Sequence, residues 1–201
     1  MEWVGGGRER RNVAKGDMYW ENSLSLCSFS PRTAVGSRLA NKLGWKFCDA
    51  DDYHPKENKE KMMNGIPLDD EDRIPWLCTL REILMREKSF GENMILACSS
   101  LKRMYRRILT GEQSAVNTTV KQDQEQSQLG YSKNILFVYL HGPIELITKR
   151  LDSRKGHFMS PSLLQSQFDT LEPPEGTENF INISIENSIS DIVTEIERHL
   201  G

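Results

Sequence analysis

Short, continuously apolar segments alternate with stretches of helical periodicity along this chain, and this alternation limits the fold more than any other feature. The apolar segments are the predicted strands, at 45–48, 94–98, 135–140 and 180–185. Between them, apolar residues recur every three or four positions, which is the spacing of one helix face. Continuously apolar strands are typical of parallel sheets that are buried on both sides. The sequence therefore predicts an α/β fold in which helices cover both faces of a parallel sheet.

Polar residues follow the first two of these predicted strands. Asp49, Asp51 and Asp52 come after the first strand, and Ser99 and Ser100 come after the second. In open parallel sheets, ligands bind beyond the carboxyl ends of the strands. The sequence therefore predicts a functional site at this edge of the sheet.

The segment Asp49-Ala50-Asp51-Asp52-Tyr53-His54-Pro55 combines three carboxylates with a histidine. Phosphoryl transfer to a hydroxyl needs a carboxylate that orients or deprotonates the acceptor. It also needs acidic groups, or the waters they hold, to bind magnesium. A solvated acidic turn would have the same composition, so this segment alone leaves both interpretations open.

Three further segments have charges or hydroxyls suited to anions. Arg73 precedes a rigid Ile-Pro-Trp segment and would form a fixed fork for a carboxylate, or would be a surface arginine at a helix start. Residues 97–102 lead from a strand to a helix, where backbone N–H groups favour an anion, although a plain turn explains them as well. The basic residues from 150 to 157 suit a lid that closes on phosphates, or a solvated helix end.

Composition excludes several classes of protein. The net charge is −3 and the pI is about 5.9, so no strong basic field indicates nucleic acid or an anionic membrane as a partner. The longest apolar stretches are too short to span a bilayer, and no secretory signal is expected at the N-terminus. The four cysteines are widely spaced without a C-x-x-C pair, which predicts neither a zinc site nor a disulfide framework and fits a reducing cytoplasmic setting.

A series of motifs, in this order, closely resembles the gluconokinase family. The motifs are Gly44-Trp45-Lys46-Phe47, the 49–55 segment, Asp72-Arg73-Ile74-Pro75-Trp76-Leu77, Ala97-Cys98-Ser99, Leu101-Lys102, Tyr105-Arg106, Gly156-His157-Phe158-Met159, Ser166-Gln167-Phe168 and Leu171-Glu172-Pro173-Pro174. The resemblance implies a P-loop kinase fold like those of shikimate and adenylate kinases, with a small lid. It also implies transfer of phosphate from ATP to D-gluconate with Mg²⁺, which gives 6-phospho-D-gluconate for the pentose phosphate pathway. Members of this family often form homodimers.

The resemblance implies a role for each matching residue. Asp51 would be the base for the gluconate hydroxyl, and Asp49 would organise magnesium. The sugar acid would be held by His54, Arg73, Lys102 and Arg106. Lid contacts to the ATP phosphates would come from Arg150 and Arg154.

The phosphate-binding loop departs from the family pattern G-x-x-x-x-G-K-S/T. Here Leu26 and Pro31 replace the two glycines and Arg32 replaces the lysine, while Thr33 keeps the hydroxyl that binds magnesium. Proline removes a backbone N–H, and arginine is not equivalent to lysine at such sites. The residues left to contact the nucleotide are Ser28, Ser30, Arg32 and Thr33.

The altered loop leaves more than one functional hypothesis open. The chain is an active gluconokinase, with activity lowered by the loop, or a non-catalytic relative that binds sugar acid or modulates an intact subunit. A kinase of the shikimate type is disfavoured by the motifs at 53–55 and 156–159.

The chain is predicted to form one domain after a tail. Residues 1–25 are expected to be a disordered tail foreign to the family, and 26–201 the kinase domain, with a polar loop at 112–133 and a lid at about 150–172. Residues 23–28 alternate between polar and apolar, so it is open whether they fill the first strand position of the sheet.

Overall fold

The computed structural model describes residues 23–27, 31–112, 135–152 and 161–200. Within these ranges, five strands form one sheet in the order β2-β3-β1-β4-β5, and all of the neighbouring strands are parallel. The strands are β1 (Ser23–Cys27), β2 (Lys46–Asp49), β3 (Met94–Ala97), β4 (Ile135–His141) and β5 (Phe180–Ser184). The predicted α/β fold with a parallel sheet is confirmed.

Helices connect the strands, as the periodicity predicted. They are α1 (Arg32–Leu43), α2 (Lys56–Met63), α3 (Asp70–Ser89), α4 (Arg103–Thr110), α5 (Ile144–Asp152), α6 (Pro161–Thr170) and α7 (Ile189–Leu200), with a short 3₁₀ turn at Ala50–Tyr53. Gly44 ends α1 and Gly111 ends α4, both in the left-handed conformation that favours glycine (φ 69° and 82°). None of the helices in the described ranges has both the length and the apolar character needed to cross a bilayer.

The strand β1 occupies the centre of the sheet, between β3 and β4. Ser23 pairs with Met94 on one side and with Ile135 on the other, so the segment with alternating polarity does fill the first strand position. Pairing on both sides satisfies the backbone of a strand whatever its side chains are. The last three residues of the predicted tail therefore belong to the sheet. The preceding residues 1–22 and the predicted polar loop, apart from Glu112, lie outside the described residues.

The core lies between the sheet and the helices. All four residues of β3 are buried, and α1 packs Val35 and Leu39 into the same cluster, each with no exposed surface. This packing fixes the start of α1 close to the carboxyl ends of β2 and β3. The functional groups at these chain positions are thereby brought together.

Candidate active site

The start of α1 faces the acidic segment that follows β2. Arg32 donates a hydrogen bond from its guanidinium to the carboxylate of Asp51, with which it forms an ion pair. The hydroxyl of Thr33 donates to Oδ2 of Asp49 at 2.8 Å, and the backbone N–H of Asp51 donates to Oδ1 of Asp49 at 3.1 Å. Four residues that the sequence assigned to nucleotide, metal and acceptor thus form one connected group.

Arg32 is buried, with 7% of its surface exposed. Burial disfavours its charged form, but the carboxylates of Asp51 and Asp49 outweigh this, and the net effect raises the pKa of Arg32. The residue that replaces the family lysine therefore places a fixed positive charge at the start of α1. No side chain caps this helix, and its first turn contains no acidic residue.

A cleft opens beside this group. Its lining includes Arg32, Asp51, His54, Arg73 and Ser99. Three more of its lining residues come from α6: Leu163, Ser166 and Gln167. The cleft therefore joins the end of β2, the first turn of α3 and one face of α6.

His54 is buried in the wall of the cleft. Its ring stacks on Trp76, with 4.1 Å between the ring centroids and 15° between the planes, and the indole N–H of Trp76 donates to the carbonyl of Ala50 at 2.9 Å. Burial lowers the pKa of His54 to about 4, so the imidazole is neutral near pH 7. The Nδ1 atom is buried and has no hydrogen-bond partner among the described residues.

Arg73 is the cation in the cleft best suited to an organic acid. It is 6% exposed, its Nε donates to the carbonyl of Leu68 at 3.2 Å, and burial lowers its pKa. Within the described ranges, no carboxylate forms an ion pair with it. A bound carboxylate would offset the cost of burying this charge.

Lys102 lies beside the cleft and does not line it. Its Nζ contacts the two oxygens of Asp70 at 2.7 and 2.8 Å, and the hydroxyl of Tyr105 donates to the same carboxylate. These two hydrogen bonds, that from Lys102 first, lower the pKa of Asp70. The ammonium group of Lys102 is thus paired with Asp70, and Lys102 is not among the residues that line the cleft.

Arg106, which the resemblance assigned to the sugar acid, is bound within the protein itself. The side chain is 1% exposed, and its Nε and Nη2 atoms donate to Glu178 at 2.6 and 3.1 Å. Its Nη1 atom lies 2.9–3.2 Å from the carbonyl oxygens of Ser100, Leu101 and Glu172. Arg106 therefore connects α4 to the segment that precedes β5, away from the cleft.

The anion expected at the start of α4 is supplied by the chain itself. The backbone N–H of Arg103 donates to Oε2 of Glu172 at 2.7 Å. An internal carboxylate thus satisfies the first backbone N–H of this helix.

Several of the residues predicted to contact the nucleotide lie outside the described ranges or outside the cleft. Ser28, Ser30 and Arg154 lie outside the described residues, as do residues 153–160 of the predicted lid. Arg150 lies in the last turns of α5 and is not among the residues that line the cleft.

Sequence reasoning missed the contribution of α6 to the cleft. Ser166 and Gln167 lie three and four residues after Leu163, which places all three on one helix face. The sequence signal for this contribution was one apolar and two polar residues on the same helix face.

Thr33 at the start of α1 and Asp49 at the end of β2 have oxygen donors that suit magnesium. The hydroxyl of Thr33 and the carboxylate of Asp49 are hard oxygen ligands, and they already lie within hydrogen-bond distance of each other. The described residues contain no cluster of three or more metal-binding His, Cys, Asp or Glu side chains. Mg²⁺ usually takes one or two protein ligands and fills its other positions with water and phosphate oxygens, and a hydroxyl with a carboxylate provides such a donor set.

Comparison with a solved structure defines the class of protein. The crystal structure of a gluconokinase from Sinorhizobium meliloti 1021 matches with a TM-score of 0.70 and 34% identity, over 88% of this chain and 89% of that chain. With the central β1, the helix that begins at Arg32 and the carboxylates beside it, this match defines a P-loop kinase.

Relatives of known name define the family. A probable gluconokinase from Xenopus tropicalis is 56% identical over 171 residues, which are 85% of this chain and 87% of that protein. The thermosensitive gluconokinase of Escherichia coli K12 is 37% identical over 169 residues, 84% and 80% of the two chains. The chain belongs to the gluconokinase family. No protein-family model matches it, and the relatives do not favour the non-catalytic alternative over an active kinase.

Proposed function

We propose that this protein phosphorylates D-gluconate with ATP and Mg²⁺ to give 6-phospho-D-gluconate, as a cytoplasmic enzyme that forms homodimers. The observation that supports this most directly is one cleft that is lined both by a carboxylate, Asp51, and by a buried arginine, Arg73. A sugar acid needs both groups, since one end is an anion and the other must lose a proton. Size-exclusion chromatography with light scattering tests the dimer.

Each end of the substrate has a matching group. Arg73 would pair with the carboxylate of gluconate, and its fork of N–H donors suits a planar anion. Asp51 would accept the proton from the hydroxyl that attacks the phosphate, or orient that hydroxyl for in-line attack. Because Arg32 lies against Asp51, the base and the positive charge for the phosphates are adjacent.

Thr33 and Asp49 would hold the magnesium ion. When bound, the ion neutralises charge on the phosphate oxygens of the nucleotide. Arg32 adds a second positive charge at the start of α1, where Ser28, Ser30 and the lid arginines Arg150 and Arg154 would complete the phosphate contacts. Arg32 and Thr33, at the start of α1, contact Asp51 and Asp49, which follow β2. This contact supports transfer of phosphate from the start of α1 toward Asp51.

The test is an assay of the purified chain with ATP and D-gluconate, coupled to 6-phosphogluconate dehydrogenase. We expect turnover by the wild-type protein, and a fall in kcat of about 10²- to 10⁴-fold for Asp51→Asn, because a general base contributes about this factor. Asp52→Asn is the matched control, because Asp52 is the exposed neighbour and does not line the cleft. A folded wild-type protein without turnover would refute the proposed function.

A further inference from the structure

Two buried polar atoms in the cleft lack partners. Among the described side chains, Nδ1 of His54 and Oε1 of Gln167 are shielded from solvent and form no hydrogen bond. Both residues line the same cleft, one from the segment after β2 and the other from α6. Buried polar groups are nearly always paired, so two exceptions on residues that line one cleft point to a ligand with hydrogen-bonding groups.

Hydroxyl groups on this ligand would satisfy both unpaired atoms. The side-chain oxygen of Gln167 accepts a hydrogen bond, and a neutral imidazole offers one donor and one acceptor. The stack on Trp76 fixes the plane of the His54 ring in the wall of the cleft. An uncharged hydroxyl satisfies such groups without adding charge to a site that already contains Arg73 and Asp51.

We infer that Gln167 binds a hydroxyl of the substrate and, together with His54, makes the site specific for a polyhydroxylated acid. This inference rests on the proposed function, in which Arg73 takes the carboxylate and Asp51 the reacting hydroxyl. The hydroxyls between these two ends of the substrate then face α6. Gln167 is thus a specificity-determining residue contributed by α6.

A structural role and a binding role for Gln167 predict different results for Gln167→Leu. Because Oε1 is buried without a partner, removing it leaves the free protein equally stable or more stable. If Gln167 binds substrate, the KM for D-gluconate rises about tenfold or more, the value of one hydrogen bond to a ligand, while the KM for ATP is unchanged. Gln165→Leu is the matched control, since Gln165 is exposed on the same helix and its Nε2 bonds Asp169 at 2.8 Å.

The deciding experiment measures kcat/KM for wild type, Gln167→Leu and Gln165→Leu with D-gluconate and with analogues that each lack one hydroxyl other than the phosphorylated one. We expect one analogue to be penalised in the wild type and in Gln165→Leu, and this penalty to disappear in Gln167→Leu. An unchanged KM for D-gluconate in Gln167→Leu, or the same penalty in all three proteins, would overturn the inference.

A second readout separates this inference from the proposed function. The rise in Tm on adding D-gluconate is measured for the same three proteins without ATP. If the wild type does not turn over D-gluconate, the proposed function fails, but a rise in Tm that is lost only in Gln167→Leu still supports the hydroxyl contact. Turnover by the wild type with an equal rise in Tm in all three proteins would reject the contact alone.

Discussion

Replacing Arg106 with methionine should destabilise the fold and leave substrate binding almost unchanged. Arg106 is one of the least exposed charged residues of the described structure, and its guanidinium contacts both carboxylate oxygens of Glu178 and three backbone carbonyls. Glu178 is itself largely buried, with 11% of its side chain exposed, and would lose its partner. Breaking a buried ion pair from one side costs about 3–5 kcal/mol of unfolding free energy.

The measurement is urea unfolding of Arg106→Met and Arg73→Met, together with the KM for D-gluconate of each protein. We expect Arg106→Met to unfold at clearly lower urea with a KM close to that of the wild type. Arg73→Met should show the opposite pattern, because Arg73 faces the cleft and has no carboxylate partner within the described ranges. A stable Arg106→Met protein with a much higher KM would refute the structural assignment and restore Arg106 to the substrate site.

Two further results are expected from the groups around the cleft. Burial lowers the pKa of His54 to about 4, so the unfolded chain binds more protons than the folded protein between pH 6.5 and 4. The free energy of unfolding should therefore fall by at most about 3 kcal/mol as the pH drops through this window. Unfolding curves at several pH values should show a smaller fall for His54→Asn. Thr33→Val should raise the Mg²⁺ concentration for half-maximal activity about tenfold or more, because the hydroxyl next to Asp49 is lost. Thr33→Ser keeps the hydroxyl and should remain close to the wild type. Equal Mg²⁺ requirements in both variants would contradict the role of Thr33.

The strands and the acidic segment could be predicted because their signals are local. Continuous apolar runs located β2 to β5 within one or two residues, and the position of Asp49 and Asp51 after a strand placed them at the correct edge of the sheet. β1 was harder to predict, because its sequence alternates between polar and apolar residues. Its place in the centre of the sheet depends on pairing with β3 and β4, which sequence periodicity does not record.

The arginines show what the sequence alone leaves undecided. Arg73 and Arg106 both lie at helix starts within three residues of an aromatic residue, and both match family motifs. Only the fold decides that Glu178 and three carbonyls surround one of them, while the other faces a cleft without a carboxylate partner among the described residues. Partners distant in sequence determine whether a buried cation holds the structure together or binds a ligand.

The altered phosphate-binding loop and the acceptor side of the site depend on different parts of the chain. Asp49, Asp51 and His54 are positioned by the end of β2 and by Trp76 of α3, and Arg73 by the first turns of α3. Their arrangement therefore does not require the two glycines that Leu26 and Pro31 replace. Arg32 keeps a buried positive charge next to Asp51, and Thr33 keeps its hydroxyl on Asp49. Pro31 removes one backbone N–H donor from the loop, so the cost is expected to fall on the binding of nucleotide and on the charge that develops on the transferred phosphate. The groups proposed to bind and activate the sugar acid keep their positions.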